Sequence, residues 1–168
     1  MVLALVLLVL GVLARFIPHA PNFTPVLAVA LFGGAYLKRS QALLLPLVLM
    51  MITDMVLGFH PAIAFTWGSV LLISLMGIWL RERLNLRNAA IASVAASLLF
   101  FVVTNFGVWL AWYPPTPAGL VSCFTMALPF YRDTLTSTLV YSVVLFGGYE
   151  FIAARIRPTK LAVVLLKK

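Results

Sequence analysis

Apolar residues fill this chain in six long runs, at about 1–17, 26–37, 41–58, 62–80, 89–113 and 131–154, with polar residues collected in short clusters between them. A bilayer crossing takes about 20 mostly apolar residues. The pattern therefore predicts an all-α integral membrane protein, a six-helix bundle forming a single transmembrane domain over 1–168. The first run is short for a span and is completed if Arg15 snorkels toward the surface. In the second, Ala30 and Gly34 stand at the small-xxx-small spacing that lets helix backbones approach closely in lipid. Ala89, Ser93 and Ser97 repeat that spacing in the fifth run, which Asn88 suits as N-cap.

One stretch breaks the pattern. Residues 113–133, YPPTPAGLVSCFTMALPFYRD, are too apolar for a solvated loop and too interrupted by proline for a span. Thr116 is a good N-cap and Pro117 suits the first helical position. Pro129 is expected to stop the run. A helix of about three turns, 117–128, follows, too short to cross and suited to a re-entrant or interfacial position. Trp109, Trp112, Tyr113, Phe130 and Tyr131 flank it, as an interfacial aromatic belt or an aromatic box. Residues 114–130 are thus expected to form an outer lid.

Composition agrees with the pattern. Of 168 residues, 64% are hydrophobic and only 10% charged, with mean hydropathy +1.12, whereas soluble domains are about 45–50% apolar and about 25% charged. The net charge of +8 is explained by orientation rather than by nucleic acid. With the N-terminus inside, Lys38 and Arg39, then Arg81, Arg83 and Arg87, then Arg155, Arg157, Lys160, Lys167 and Lys168 all fall on the inner side, leaving only Arg15 and Arg132 elsewhere. That distribution satisfies the positive-inside rule and places both termini in the cytoplasm. Leu161–Leu166 is too short to cross and reads as a membrane-surface tail or an added remnant. No basic n-region or small-x-small site precedes Pro21, so a cleavable signal peptide is not expected.

This orientation gathers the distinctive chemistry on the outer side. His19 and Asn22 lie in the first outer loop, HAPNFTP, His60 in the second, and Cys123, Arg132 and Asp133 in the third. Asp54 lies roughly 6 Å below the second loop and Thr104 and Asn105 about two turns below Tyr113. A carboxylate inside a span is costly unless paired or wet. Asp54 is read as a structural partner of Arg132 or a histidine, as a ligand-site residue, or as a relay. Two histidines and one aspartate over three segments are a weak metal signal, and no cofactor is expected. The single cysteine excludes an internal disulfide and a Cys-cluster metal site. HExxH, P-loop, CxxC and a credible Ser-His-Asp arrangement are all missing, so the chain does not read as an enzyme.

NFTPVLAVALFGGAYL (22–37), ITDMVLGFHP (52–61) and TNFGVWLAWYPPTPAGLVSCFTMALPFYRDTL (104–135) resemble a family of small bacterial membrane proteins known only as candidate transporters. In length, six-span layout and proline-containing first loop, the chain is similar to the vitamin-binding S components of energy-coupling factor transporters. The resemblance implies an outward-opening site roofed by the first, third and fifth loops, and an energising module in trans that supplies ATP hydrolysis. It implies uptake of a small vitamin- or corrinoid-like molecule. For a corrinoid, His60, His19 or Cys123 would supply a cobalt ligand.

The expected function is capture of a small organic molecule from the outer side, with Asn22, Asp54, His60, Asn105, Tyr113, Arg132 and Asp133 near the ligand and the lipid bilayer as surroundings. Two alternatives stay open. One is a structural or assembly subunit of a membrane complex without its own ligand. The other is a membrane enzyme using Asp54 and His60 as an acid-base pair.

Overall fold

The computed structural model describes residues 2–156. The basic tail beyond Arg155 and the apolar stretch 161–166 lie outside the described residues. Every element is helical: α1 (Val2–Phe16), α2 (Val26–Tyr36), α3 (Arg39–Leu57), α4 (Ile63–Leu80), α5 (Leu86–Trp112), α6 (Pro117–Ser142) and α7 (Gly148–Ile156). Among the described residues there is no strand. A single 3-10 turn, Arg81–Arg83, ends α4, and a π turn, Val143–Gly147, joins α6 to α7 in one continuous rod. Four helices, over Arg39–Leu57, Ile63–Arg83, Leu86–Trp112 and Pro117–Arg155, are long and apolar enough to cross a membrane, and α1 and α2 are shorter apolar helices.

The burial pattern inverts that of a soluble bundle. Large apolar side chains such as Leu44, Met55, Leu72, Trp79, Ile91, Leu98 and Val102 point outward, while Ser69, Ser74, Ser93, Ser97, Thr138 and Ser142 are buried. Lipid offers apolar side chains as good a setting as the interior does, so helix contact in a bilayer comes from small residues and interhelical hydrogen bonds. Ser93 Oγ, for example, donates to Ser142 Oγ across α5 and α6 at 2.8 Å.

The centre of the bundle is α2, buried at every position from Val26 to Ala35. It packs most extensively on α4 and α3. A methyl group at Gly34 would collide with the Ser74 carbonyl and the Gly77 backbone, and one at Gly77 with the Leu31 carbonyl. Glycine at both positions is what allows α2 and α4 to touch backbone to backbone. Arg81 closes this end by donating to the Gly34 carbonyl at 2.8 Å and to the Leu37 carbonyl. These are carbonyls that the last turn of α2 leaves without a helical donor.

Two local expectations are corrected. Residues 117–128 are not a separate re-entrant helix, and 114–130 are not a lid. Helix α6 starts where expected, with Thr116 Oγ1 accepting from Gly119 N and Pro117 in the first turn, but it runs straight through Pro129 to Ser142. A proline forfeits one backbone hydrogen bond, whereas ending the helix in an apolar medium would orphan a whole turn of N–H and C=O groups. Continuation is the lesser cost, as at Pro46 within α3. The N-cap of α5 is Asn85, whose side chain accepts from Asn88 N at 2.8 Å; Asn88 instead donates to the Arg83 carbonyl.

Candidate functional site

The site arises because α2 is short. Eleven residues rise about 16 Å, roughly half of the ~30 Å hydrocarbon thickness. The chain between α1 and α2 descends into the bundle to meet it. The Asn22 carbonyl accepts from Ser137 Oγ at 3.3 Å, and the Phe23 ring lies 6.0 Å from that of Tyr141. Ser137 lies 20 residues after Pro117 in one helix, so this contact is about 30 Å below the α6 tip. Asn22 reaches that position with a left-handed backbone, φ 61°, a conformation asparagine tolerates better than most residues.

Above α2 the helices border an open-sided cavity of about 380 Å³. It is at the end of the bundle opposite the basic turns at Lys38-Arg39 and Arg81–Arg87. His19, Asn22 and Thr24 of the descending loop, His60 of the α3–α4 turn, and Thr66, Thr104, Asn105 and Thr134 supply its polar atoms. Phe100, Phe101, Phe130 and Tyr131 supply aromatic wall. Thr104 Oγ1 donates to the Phe100 carbonyl (2.7 Å), Thr134 Oγ1 to the Phe130 carbonyl (2.9 Å) and Asn105 Nδ2 to the Phe101 carbonyl (2.7 Å). With those protons committed to their own helices, the two threonines offer acceptor oxygens to an occupant, and Asn105 offers its carbonyl oxygen and its second N–H.

Arg15, at the end of α1, also lines the cavity. Its Nη2 lies 3.1 Å from Asp54 Oδ1 of α3. Its Nη1 donates to Thr53 Oγ1 at 2.8 Å and contacts Met50 Sδ. Trp67 of α4 donates Nε1–H to Asp54 Oδ2 at 2.9 Å. Three helices are thereby tied together around one buried carboxylate, at 3% exposure.

Of the seven residues singled out in the sequence, Asn22, His60 and Asn105 line the cavity, and Asp54 sits directly behind it through Arg15. Tyr113, Arg132 and Asp133 are not in its wall. Asp54 pairs with Arg15, not with Arg132 or a histidine. His19 and His60 share the cavity, while Cys123 is buried against α5, its Sγ 3.5 Å from the Asn105 carbonyl. Among the described residues no three His, Cys, Asp or Glu side chains converge as metal ligands. From residues 113–133 only Ala127, Phe130 and Tyr131 reach the cavity, as wall rather than roof. Arg15 and Trp67 were missed by sequence reasoning. A detectable signal existed, since Arg15 and Asp54 are two lone charges near the same ends of apolar runs, each requiring a partner.

A family model described as a family of unknown function (DUF6580) matches residues 1–161. No curated protein and no solved structure matches the chain.

Proposed function

The chain belongs to the family of unknown function DUF6580, and from that premise we propose that it is a six-span protein of the bacterial inner membrane that captures a small organic molecule from the outer side for uptake. The observation that carries this reading is the cavity of about 380 Å³ at the end away from the basic turns. Ligand sites are typically concave clefts of about 300–1,000 Å³, mostly apolar, with a few placed polar groups. Aromatic walls, threonine and asparagine oxygens and one guanidinium match that description. Positive-inside counting orients the basic turns, and with them both termini, toward the cytoplasm, so the cavity opens outward.

The volume stands at the lower end of the ligand-pocket range, which favours a single small ring system over a corrinoid macrocycle. In the layout of an S component, such a subunit binds its cargo alone and relies on an energising ATPase module in trans. The chain carries no nucleotide-binding motif of its own.

Mass spectrometry of what the purified full-length protein releases on denaturation tests the proposal. A stoichiometric small molecule is expected, lost when Thr104→Trp fills the cavity. Empty protein from several growth media, with a second polypeptide co-purifying instead, would replace capture with the assembly reading.

A further inference from the structure

The floor of the cavity identifies what kind of molecule enters, given the capture reading on which this step rests. Arg15 and Asp54 are unequal partners. The Asp54 side chain is sealed at 4% exposure, and both its oxygens are engaged, Oδ1 by Arg15 and Oδ2 by Trp67. The Arg15 side chain keeps 17% exposure and lines the cavity. A guanidinium has five N–H donors. Among the described residues, Nη1 serves Thr53 and Met50 and Nη2 serves Asp54, leaving Nε–H and the second Nη2–H without a protein acceptor.

Among the described residues no other charge balances this donor edge from the cavity side. The chain has four acidic residues. Glu82 and Glu150 lie at the opposite end, by the C-termini of α4 and α2, and Asp133 is outside the wall. An occupant therefore meets a cation at close range, with the compensating carboxylate behind it. The nearer charge dominates because Coulomb attraction falls with distance. A guanidinium edge also matches a carboxylate in planar geometry, two parallel N–H···O bonds.

We infer that Arg15 is the specificity-determining residue of the cavity and that it selects a small aromatic molecule carrying a carboxylate. The aromatic body packs among Phe100, Phe101, Phe130 and Tyr131, and the carboxylate meets Nε and Nη2 of Arg15. Asp54 and Trp67 are positioning residues that hold the guanidinium with its free edge toward the cavity.

The test uses three probes of one shape and different charge: 2-naphthoate, 2-naphthamide and 2-naphthylmethylammonium. Each is titrated by equilibrium dialysis against the full-length protein in phosphatidylcholine nanodiscs, with empty discs as blank. Naphthoate is expected to bind about tenfold more tightly than the amide, as a charge-assisted bidentate contact would give, and the ammonium probe more weakly than either. Arg15→Gln should abolish the preference for naphthoate. Because that variant leaves Asp54 unpaired, Arg15→Gln with Asp54→Asn removes the charge while keeping the site neutral, its fold checked by circular dichroism against the native protein. Asp54→Asn alone should strengthen naphthoate binding, an effect that a purely structural ion pair would not produce. Equal binding of all three probes would overturn the inference and leave the capture reading standing. No binding of any probe would overturn both. Loss of naphthoate binding in discs containing phosphatidylglycerol would assign the guanidinium to a lipid phosphate and likewise overturn it.

Discussion

Removing Arg15 tests the physical core of the site, because the structure makes Asp54 wholly dependent on two neighbours. In Arg15→Ala, a carboxylate at 3% exposure retains only the Trp67 indole N–H at 2.9 Å. Breaking one side of a buried ion pair costs about 3–5 kcal/mol, because the remaining charge stays desolvated. Asp54→Ala strands the Arg15 guanidinium less completely, since Arg15 faces the cavity and can be hydrated there. It should therefore destabilise less than Arg15→Ala. Trp67→Phe removes a single charge-assisted hydrogen bond, worth about 1.5–3 kcal/mol, and adds a packing loss because phenyl is smaller than indole. Replacing both charges together, Arg15→Met with Asp54→Leu, should cost less than either single change, as apolar replacements of buried pairs commonly do. Unfolding free energies from SDS titration in mixed micelles provide the comparison. If both single variants cost under about 1 kcal/mol and their effects simply add, the pair behaves as a solvated surface pair, and the account of a sealed carboxylate is wrong.

Four further outcomes are expected. Gly34→Ala should destabilise by about 1–3 kcal/mol through overpacking against the α4 backbone, visible as a lower midpoint in the same titration. Pro129→Ala should leave the helix intact and raise stability, because it restores a backbone donor inside a continuous α6; a drop would mean that the proline terminates the helix after all. Thr116→Ala should cost about 1 kcal/mol through the lost N-cap of α6, with circular dichroism at 222 nm unchanged at low SDS. In a Cys123→Ala background, Ala20→Cys should react with a membrane-impermeant maleimide on intact cells and Arg83→Cys only after lysis; the reverse labelling would invert the proposed topology.

Helix identity was legible because the signal was large and local. The apolar runs 41–58, 62–80 and 89–113 correspond to helices Arg39–Leu57, Ile63–Leu80 and Leu86–Trp112, set by length, hydropathy and turn residues alone. Thr116-Pro117 also marked a true helix start. Pro129 misled because a rule from water was applied in an apolar medium, where the alternative to a weakened helix is a row of unpaired backbone groups. Asn85 and Asn88 are both plausible caps, and only the Arg83 carbonyl, brought near by the 3-10 turn, decides between them. Arg15 was read as snorkelling to the surface, since nothing local distinguishes that from reaching sideways to α3. The matching positions of Arg15 and Asp54 near the ends of their runs mark both as needing partners, but that α1 runs alongside α3 and joins them is a tertiary fact.

The short second helix unites fold and site. Had α2 extended through the bundle, its side chains would fill the space that His19, Asn22 and Thr24 now border. The Asn22–Ser137 contact lies about 30 Å below the α6 tip, and the chain reaches α2 through 17–25, irregular backbone with three prolines. Irregular backbone at membrane depth persists only where it is buried in protein or faces a wet cavity. Pro18, Pro21 and Pro25 reduce the demand by removing three N–H donors, and the Asn22 carbonyl is met by Ser137. What remains must be satisfied by water or by an occupant. The same demand applies to Arg15, which lines that space. On the proposed reading, a mostly apolar cavity with a few such polar groups suits a small polar aromatic molecule that displaces water while replacing its hydrogen bonds. Shortening one helix thus yields the concavity, its polar rim and the free edge of a buried ion pair together.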